Sequence, residues 1–192
     1  IVFNTDGSGN SCTTQHTFFK KEGMKPENTC LVETSSGIFL GMTTEGGFNN
    51  NGVLFQYNAV TNEYLVKYEF DGINGSNPKG SLLKGSDGKL YGLTNQGGTN
   101  NQGVLFQYDL STETLDKKVD FDLSITGGFP EGSLIEATDG KIYGMTNLGG
   151  INGAGVLFQY DPVLNTYTNK VDFDNVQSGY MPSGGLVLGN DG

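Results

Sequence analysis

The hexapeptide Gly-Val-Leu-Phe-Gln-Tyr begins at Gly52 and returns at Gly103 and Gly155, and a degenerate copy, Ile1-Val2-Phe3, stands one period before the first. The spacing is 51 to 52 residues. A period in this range that carries several short strands per copy predicts an array of small stacked sheets: an all-β β-propeller of four-stranded antiparallel blades. Such a fold is a scaffold whose ligand is set by its loops, so the period speaks to architecture and names no reaction.

The third copy shows the expected blade. Gly132-Ser133-Leu134-Ile135-Glu136 is a short apolar run, and Asp139-Gly140 after it favours a two-residue hairpin turn because glycine accepts positive φ. Lys141-Ile142-Tyr143-Gly144-Met145-Thr146 returns as a second strand. The Gly149-Gly150 pair leads into Gly155-Val156-Leu157-Phe158-Gln159-Tyr160, a third strand too apolar on both faces to have a wet side. Continuous apolar runs mark strands covered on both faces. Residues 167 to 173 alternate as a fourth, more polar strand, an outer edge protected by Lys170.

Phe3, Phe55, Phe106 and Phe158 each precede a second phenylalanine by 15 residues, at Phe18, Phe70, Phe121 and Phe173, and Pro26, Pro78, Pro130 and Pro182 recur 52 apart. Length changes fall only in turns, as strand ladders require. The pattern predicts a partial blade over 1–19, full blades over about 27–71, 79–122 and 131–174, and a partial blade over 183–192. Three complete blades flanked by partial ones would leave unpaired edges. The expectation is therefore a fragment of a propeller of about six to eight blades, with a closed four-bladed ring as the alternative. Any targeting leader would precede Ile1.

The 31 glycines among 192 residues suit many tight turns, and no stretch approaches the roughly 18 apolar residues of a membrane helix. A net charge of -10, with no arginine, argues against nucleic acid and anionic membrane surfaces. The adjacent lysine pairs, Lys20-Lys21 and Lys117-Lys118, are expected on solvated outer strands.

Gly-Val-Leu-Phe-Gln-Tyr-Asp, the Phe-Asp ends, Pro-x-Gly-Ser-Leu, Asp-Gly-Lys-(Leu/Ile)-Tyr-Gly-(Met/Leu)-Thr and the Gly-Gly pair together resemble the Gloeo/Verruco (GloVer) tandem repeat, within a wider kelch-like group. The resemblance covers the whole chain, most strongly from Gly52; the first copy departs at Leu40, Phe19 and Cys30. It implies a bacterial protein secreted or anchored at the outer cell surface, often exported by a type IX route, and it carries no catalytic residues or cofactor with it.

Residues repeated in every blade serve the blade. Asp71, Asp122 and Asp174 are expected to cap loop amides as Asx-type turns, since symmetric copies cannot push two carboxyl pKa values apart as acid–base catalysis needs. His16, the only histidine, reads as a solvated outer-strand residue, and no nucleophile, zinc or phosphate-loop motif is present. The loop 71–77 is rich in oxygen donors but lacks the spacing and closing glutamate of an EF-hand, so calcium is a minor alternative to no cofactor. Cys12 and Cys30 would favour pairing outside the cell, whereas their expected places lie beyond the roughly 7 Å of Cα separation a disulfide spans.

Recognition is expected on the loops of one face: Phe48, Asn50 and Asn51, then Thr99, Asn101 and Gln102, then Ile151 after the Gly-Gly pairs, with Ile73, Phe129 and Tyr180 from the loops between blades. Amides beside exposed rings suit neutral polar ligands such as glycans; the competing reading is that these residues serve only turn geometry. The functional expectation is a noncatalytic surface scaffold for binding or adhesion to glycans or proteins, with no metal. The alternatives are part of a propeller hydrolase or lyase on polysaccharide with its catalytic residues elsewhere, or a passenger of a type IX secretion machine.

Overall fold

The computed structural model describes residues 2–5, 12–27, 29–174 and 176–189. Strands β1 (Val2–Thr5) and β2 (Cys12–His16) pair antiparallel. Three four-stranded meanders follow: β3 (Val32–Ser35), β4 (Ile38–Thr43), β5 (Val53–Asn58) and β6 (Glu63–Glu69); β7 (Ser76–Lys84), β8 (Leu90–Gln96), β9 (Val104–Asp109) and β10 (Thr114–Asp120); and β11 (Ile135–Glu136), β12 (Ile142–Thr146), β13 (Val156–Asp161) and β14 (Thr166–Asp172). Every neighbouring pair is antiparallel and sequential. The chain is all-β and built of four-stranded blades, as its period predicts. Residues 183–189 form no strand, and 190–192 lie outside the described residues.

The third strand is apolar at both parities because, where a blade stands on either side, it serves two cores. Val104, Phe106 and Tyr108 of β9 pack with Leu40, Met42, Leu54 and Phe70 of the blade before. Leu105 points the other way, to Leu134, Ile142, Val156 and Phe158 of the blade after. Fully burying side chains of this size contributes about 1.5–3 kcal/mol each. These inter-blade layers are the core of the fold.

Along the innermost strands the Pro-x-Gly segment sets the step between blades. A Cβ on Gly80 would stand 2.4 Å from Gly132 O, and one on Gly132 would stand 2.1 Å from Gly184 O, so only glycine lets successive inner backbones approach this closely. Lys79 Nζ reaches Glu131 Oε1 at 2.6 Å, and Ser81 N–H donates to Ser133 Oγ at 2.9 Å. These residues stand 52 positions apart, one blade to the next. The outermost strand carries a bulge at one place in every blade, where the register skips Lys67, Lys118 and Lys170. A lysine-bearing bulge on an edge strand discourages pairing with another sheet.

Three expectations need correction. The β11–β12 turn is a four-residue reversal closed by Gly140 N–H to Ala137 O and Ala137 N–H to Lys141 O, with Gly140 at φ 75, rather than a two-residue hairpin. Lys20 and Lys21 lie in a turn after β2 and not on an outer strand. His16 is packed rather than solvated: its ring stacks on Tyr64 at 4.1 Å between centroids, and its Nε2 stands 3.3 Å from Glu22 Oε2. Outer-strand position misled here because Phe18, Tyr64 and Phe55 build a small aromatic core over that edge.

Candidate functional site

The loops between second and third strands and the loops between blades lie on one face and are stitched together. Asn77 N–H donates to Asn51 O, Phe129 N–H to Gln102 O and Met181 N–H to Ala154 O, at 2.8, 2.8 and 3.0 Å. In the other direction Gly98 N–H donates to Gly72 O and Gly150 N–H to Leu123 O. The loops joining the first blade to the second and the second to the third therefore bond both to the blade they leave and to the blade they enter, and these loops form a continuous belt. The donors Asn77, Phe129 and Met181 all precede a proline and all hold positive φ, from 52 to 55°. This conformation is sparsely populated for non-glycine residues, and it recurs at Lys25 before Pro26.

Within each Gly-Gly loop the backbone is clamped from below. The last residue of the fourth strand is a carboxylate in every blade, and it accepts the first loop amide: Phe48 N–H to Glu69 Oε2 at 2.6 Å, Thr99 N–H to Asp120 Oδ1 at 2.8 Å, and Ile151 N–H to Asp172 Oδ1 at 2.8 Å. Burial pushes the Asp120 carboxyl up, but Lys117 and the Thr99 amide and hydroxyl more than offset it, and its pKa ends below the usual range. Sequence reasoning missed this clamp, although an acidic residue before each repeated phenylalanine signals it. Beneath it, Thr43, Thr94 and Thr146 Oγ1 accept from Val53, Val104 and Val156 N–H at 3.0 to 3.2 Å.

The repeated loop aspartates act as expected. Asp71 accepts from Asn74 N–H, Asp122 from Ser124 N–H, and Asp174 from Val176 and Gln177 N–H. The Ser124 hydroxyl and amide hold Asp122 below the usual carboxylate range, and the Gln177 and Val176 amides do the same for Asp174. In the loop weighed for calcium, both Asp71 oxygens are taken by Asn74, through its N–H and its side-chain amide.

The candidate ligand residues separate into two sets. Phe48, Thr99, Ile151, Ile73 and Tyr180 project into solvent, as do Asn50 and Asn101. Asn51, Gln102 and Phe129 are half-buried and structural: Asn51 Oδ1 accepts from Ser76 Oγ, Gln102 Oε1 from Leu123 N–H, and Phe129 supplies a belt amide. Asn101 Oδ1 is likewise bonded to Gly97 N–H at 3.0 Å. Two exposed apolar residues on the same belt, Ile125 and Val176, escaped notice because their loops are one residue longer than the loop of Ile73. Cys30 is an exposed free thiol outside this face, and the side chain of Cys12 lies outside the described residues.

The opposite face holds a cleft of about 260 Å3 between the second and third blades, lined by Asp87, Tyr91, Glu136, Asp139, Asp161 and Leu164 among others. Its carboxylates are engaged in turns and hydrogen bonds: Asp87 with Tyr91 Oη, Glu136 with Ser86, and Asp161 with Val163 and Leu164 N–H.

The whole chain, residues 1–192, matches the Gloeobacter/Verrucomicrobia repeat. No curated protein matches it in sequence. Among solved structures, the extracellular domain of BT4673 from B. thetaiotaomicron is similar with a TM-score of 0.56 at 16% identity, over 77% of this chain and 17% of that one. A protein assigned as TolB from Agrobacterium tumefaciens is similar with a TM-score of 0.51 at 10% identity, over 83% of this chain and 53% of the other. The chain thus spans about a sixth and about half of these two proteins, and the likeness is one of fold.

Proposed function

This chain belongs to the Gloeobacter/Verrucomicrobia repeat family, and we propose that it is a noncatalytic, secreted or cell-surface β-propeller scaffold that binds a glycan or protein through its loop belt. The observation that carries this reading is the clamp: Phe48, Thr99 and Ile151 occupy one repeat position, their backbone amides are fixed by equivalent carboxylates, and their side chains differ. A fixed backbone that displays interchangeable side chains is suited to recognition. The similarity to an extracellular domain supports the location. A noncatalytic role is supported by Asp122 and Asp174, which both accept loop amides and are both lowered rather than split into an acid and a base.

The test is to incubate the chain with a mixture of polysaccharides and with arrayed glycans and surface proteins. Retention that is lost on Phe48→Ala with Ile151→Ala, and no released product, is the expected result. Product release that one carboxylate substitution abolishes would place the chain among hydrolases or lyases instead.

A further inference from the structure

Which chemistry the belt offers can be read from what its polar groups already do. Much of the belt's amide capacity is engaged: Asn100 Nδ2 donates to Phe121 O at 2.9 Å, and the side-chain oxygens of Asn101, Gln102 and Asn51 are held as described above. The large side chains that the belt exposes are mostly aliphatic. Along the belt, in blade order, stand Phe48, Ile73, Ile125, Ile151, Val176 and Tyr180; the first, fourth and fifth are 91, 84 and 88% exposed. Branched aliphatic side chains have no flat face to cover a sugar ring and few partners in water other than another apolar surface. Blades stacked about 10 Å apart spread these six side chains across the width of an ordinary protein interface.

The surroundings of this arc set the sign of its partner. Asp71, Asp122 and Asp174 sit at the roots of the inter-blade loops and Glu69, Asp120 and Asp172 beneath the Gly-Gly loops, with Lys117 paired to Asp120. The chain as a whole carries -10. An acidic rim around an apolar centre complements an apolar centre with a basic rim and steers its approach.

Taking the loop belt as the binding face, as proposed above, we infer that its occupant is a protein surface whose apolar patch is flanked by lysine or arginine, rather than a glycan. The clamped amides and positive-φ residues hold the arc in place before the partner arrives, so little loop ordering opposes association.

Two peptides and a sugar panel test this: an amphipathic peptide of alternating Leu and Lys, its Leu/Glu counterpart, and neutral polysaccharides, each titrated against the wild-type chain by fluorescence anisotropy or retention. The Leu/Lys peptide should bind at least about tenfold more tightly than Leu/Glu and weaken with added salt. Ile73→Ser with Ile151→Ser should weaken it by at least about tenfold, while Val163→Ser, an exposed apolar residue on the opposite face, should leave it unchanged. Thermal midpoints of the variants confirm that they fold. Polysaccharide binding lost in the double variant, without peptide binding, would overturn this inference and leave the loop-belt reading standing. Binding of any probe that ignores the double variant, or binding of none, would overturn both.

Discussion

Phe106 and Phe48 are the same residue type in two regions governed by opposite rules. The layers between blades repeat chemically: Phe55, Phe106 and Phe158 stand at one position and are buried alike. The loop belt repeats only in backbone: Phe48, Thr99 and Ile151 share a clamp and a conformation but not a side chain. Close packing constrains side-chain shape where a residue is enclosed and leaves it unconstrained where it is not. The fold is therefore uniform inside and individual at one rim.

The strongest way to break this contrast is to truncate both phenylalanines. Phe106→Ala removes a ring buried against Phe70 at 5.5 Å between centroids and should cost about 3–5 kcal/mol in urea unfolding. Phe48→Ala should change stability by no more than about 0.5 kcal/mol. Similar losses for both would mean that the rim is structural.

A second test holds backbone strain constant and varies enclosure. Gly103 and Gly153 both adopt positive φ, 96 and 72°, so alanine at either costs about 1 kcal/mol from conformation. At Gly103 the new Cβ would also meet Thr94 O at 2.3 Å, whereas nothing lies within 4 Å at Gly153. Gly103→Ala should therefore cost about 1–3 kcal/mol more than Gly153→Ala. Equal midpoints in thermal unfolding would refute the close approach at the start of β9.

The same contrast explains how much was legible in the sequence. The four-stranded blades, their strand order and the Asx-turn aspartates followed from period and residue type, because burial and turn geometry repeat and leave a repeated signal. The bulge lysines and the carboxylate clamp repeat too, but they act through hydrogen-bond register, which composition does not display. The loop residues were found in part. Exposure marked Phe48, Ile73 and Ile151, whereas the engagement of Asn51 and Gln102 depends on bonds to residues in the next segment of chain, and that of Asn101 on how its own loop folds back on Gly97. The packing of His16 depends on Tyr64, 48 positions away in the chain, which no alignment of single positions reveals.

A smaller effect separates turns from core by pH. The Ser111 hydroxyl and amide hold Asp109 below the ordinary carboxyl value of 3.8, the Ser124 groups do so for Asp122, the Lys141 amide for Asp139 and the Gln177 amide for Asp174. Folded values below unfolded ones mean that the stabilisation is complete above the unfolded value and is lost as pH falls through the folded values. Thermal midpoints should accordingly stay level with respect to these groups from neutral pH down to about 5 and fall below about 4. Asp122→Asn should reduce that fall, whereas Phe106→Ala should lower the curve without changing its shape.

The smallest predicted effect concerns a place where the interior departs from its own rule. Tyr57 and Tyr160 donate their phenols to Asn62 and Asn165 at 2.8 and 2.7 Å, but the equivalent Tyr108 Oη is buried without a partner among the described residues. The position of the missing asparagine is taken by Glu113, at φ 56, whose carboxylate turns to Lys67 of the blade before. Burial, with Glu113 adding to it, pushes the Tyr108 phenol up to about 12. Glu113→Asn restores the phenol's acceptor and suits the left-handed backbone, and it forfeits an ion pair worth about 1 kcal/mol or less. The expected result is a net stabilisation of about 0.5–1 kcal/mol. A loss instead would show that the Lys67 contact between blades outweighs the buried phenol, and that the second blade was tuned to its neighbour rather than left imperfect.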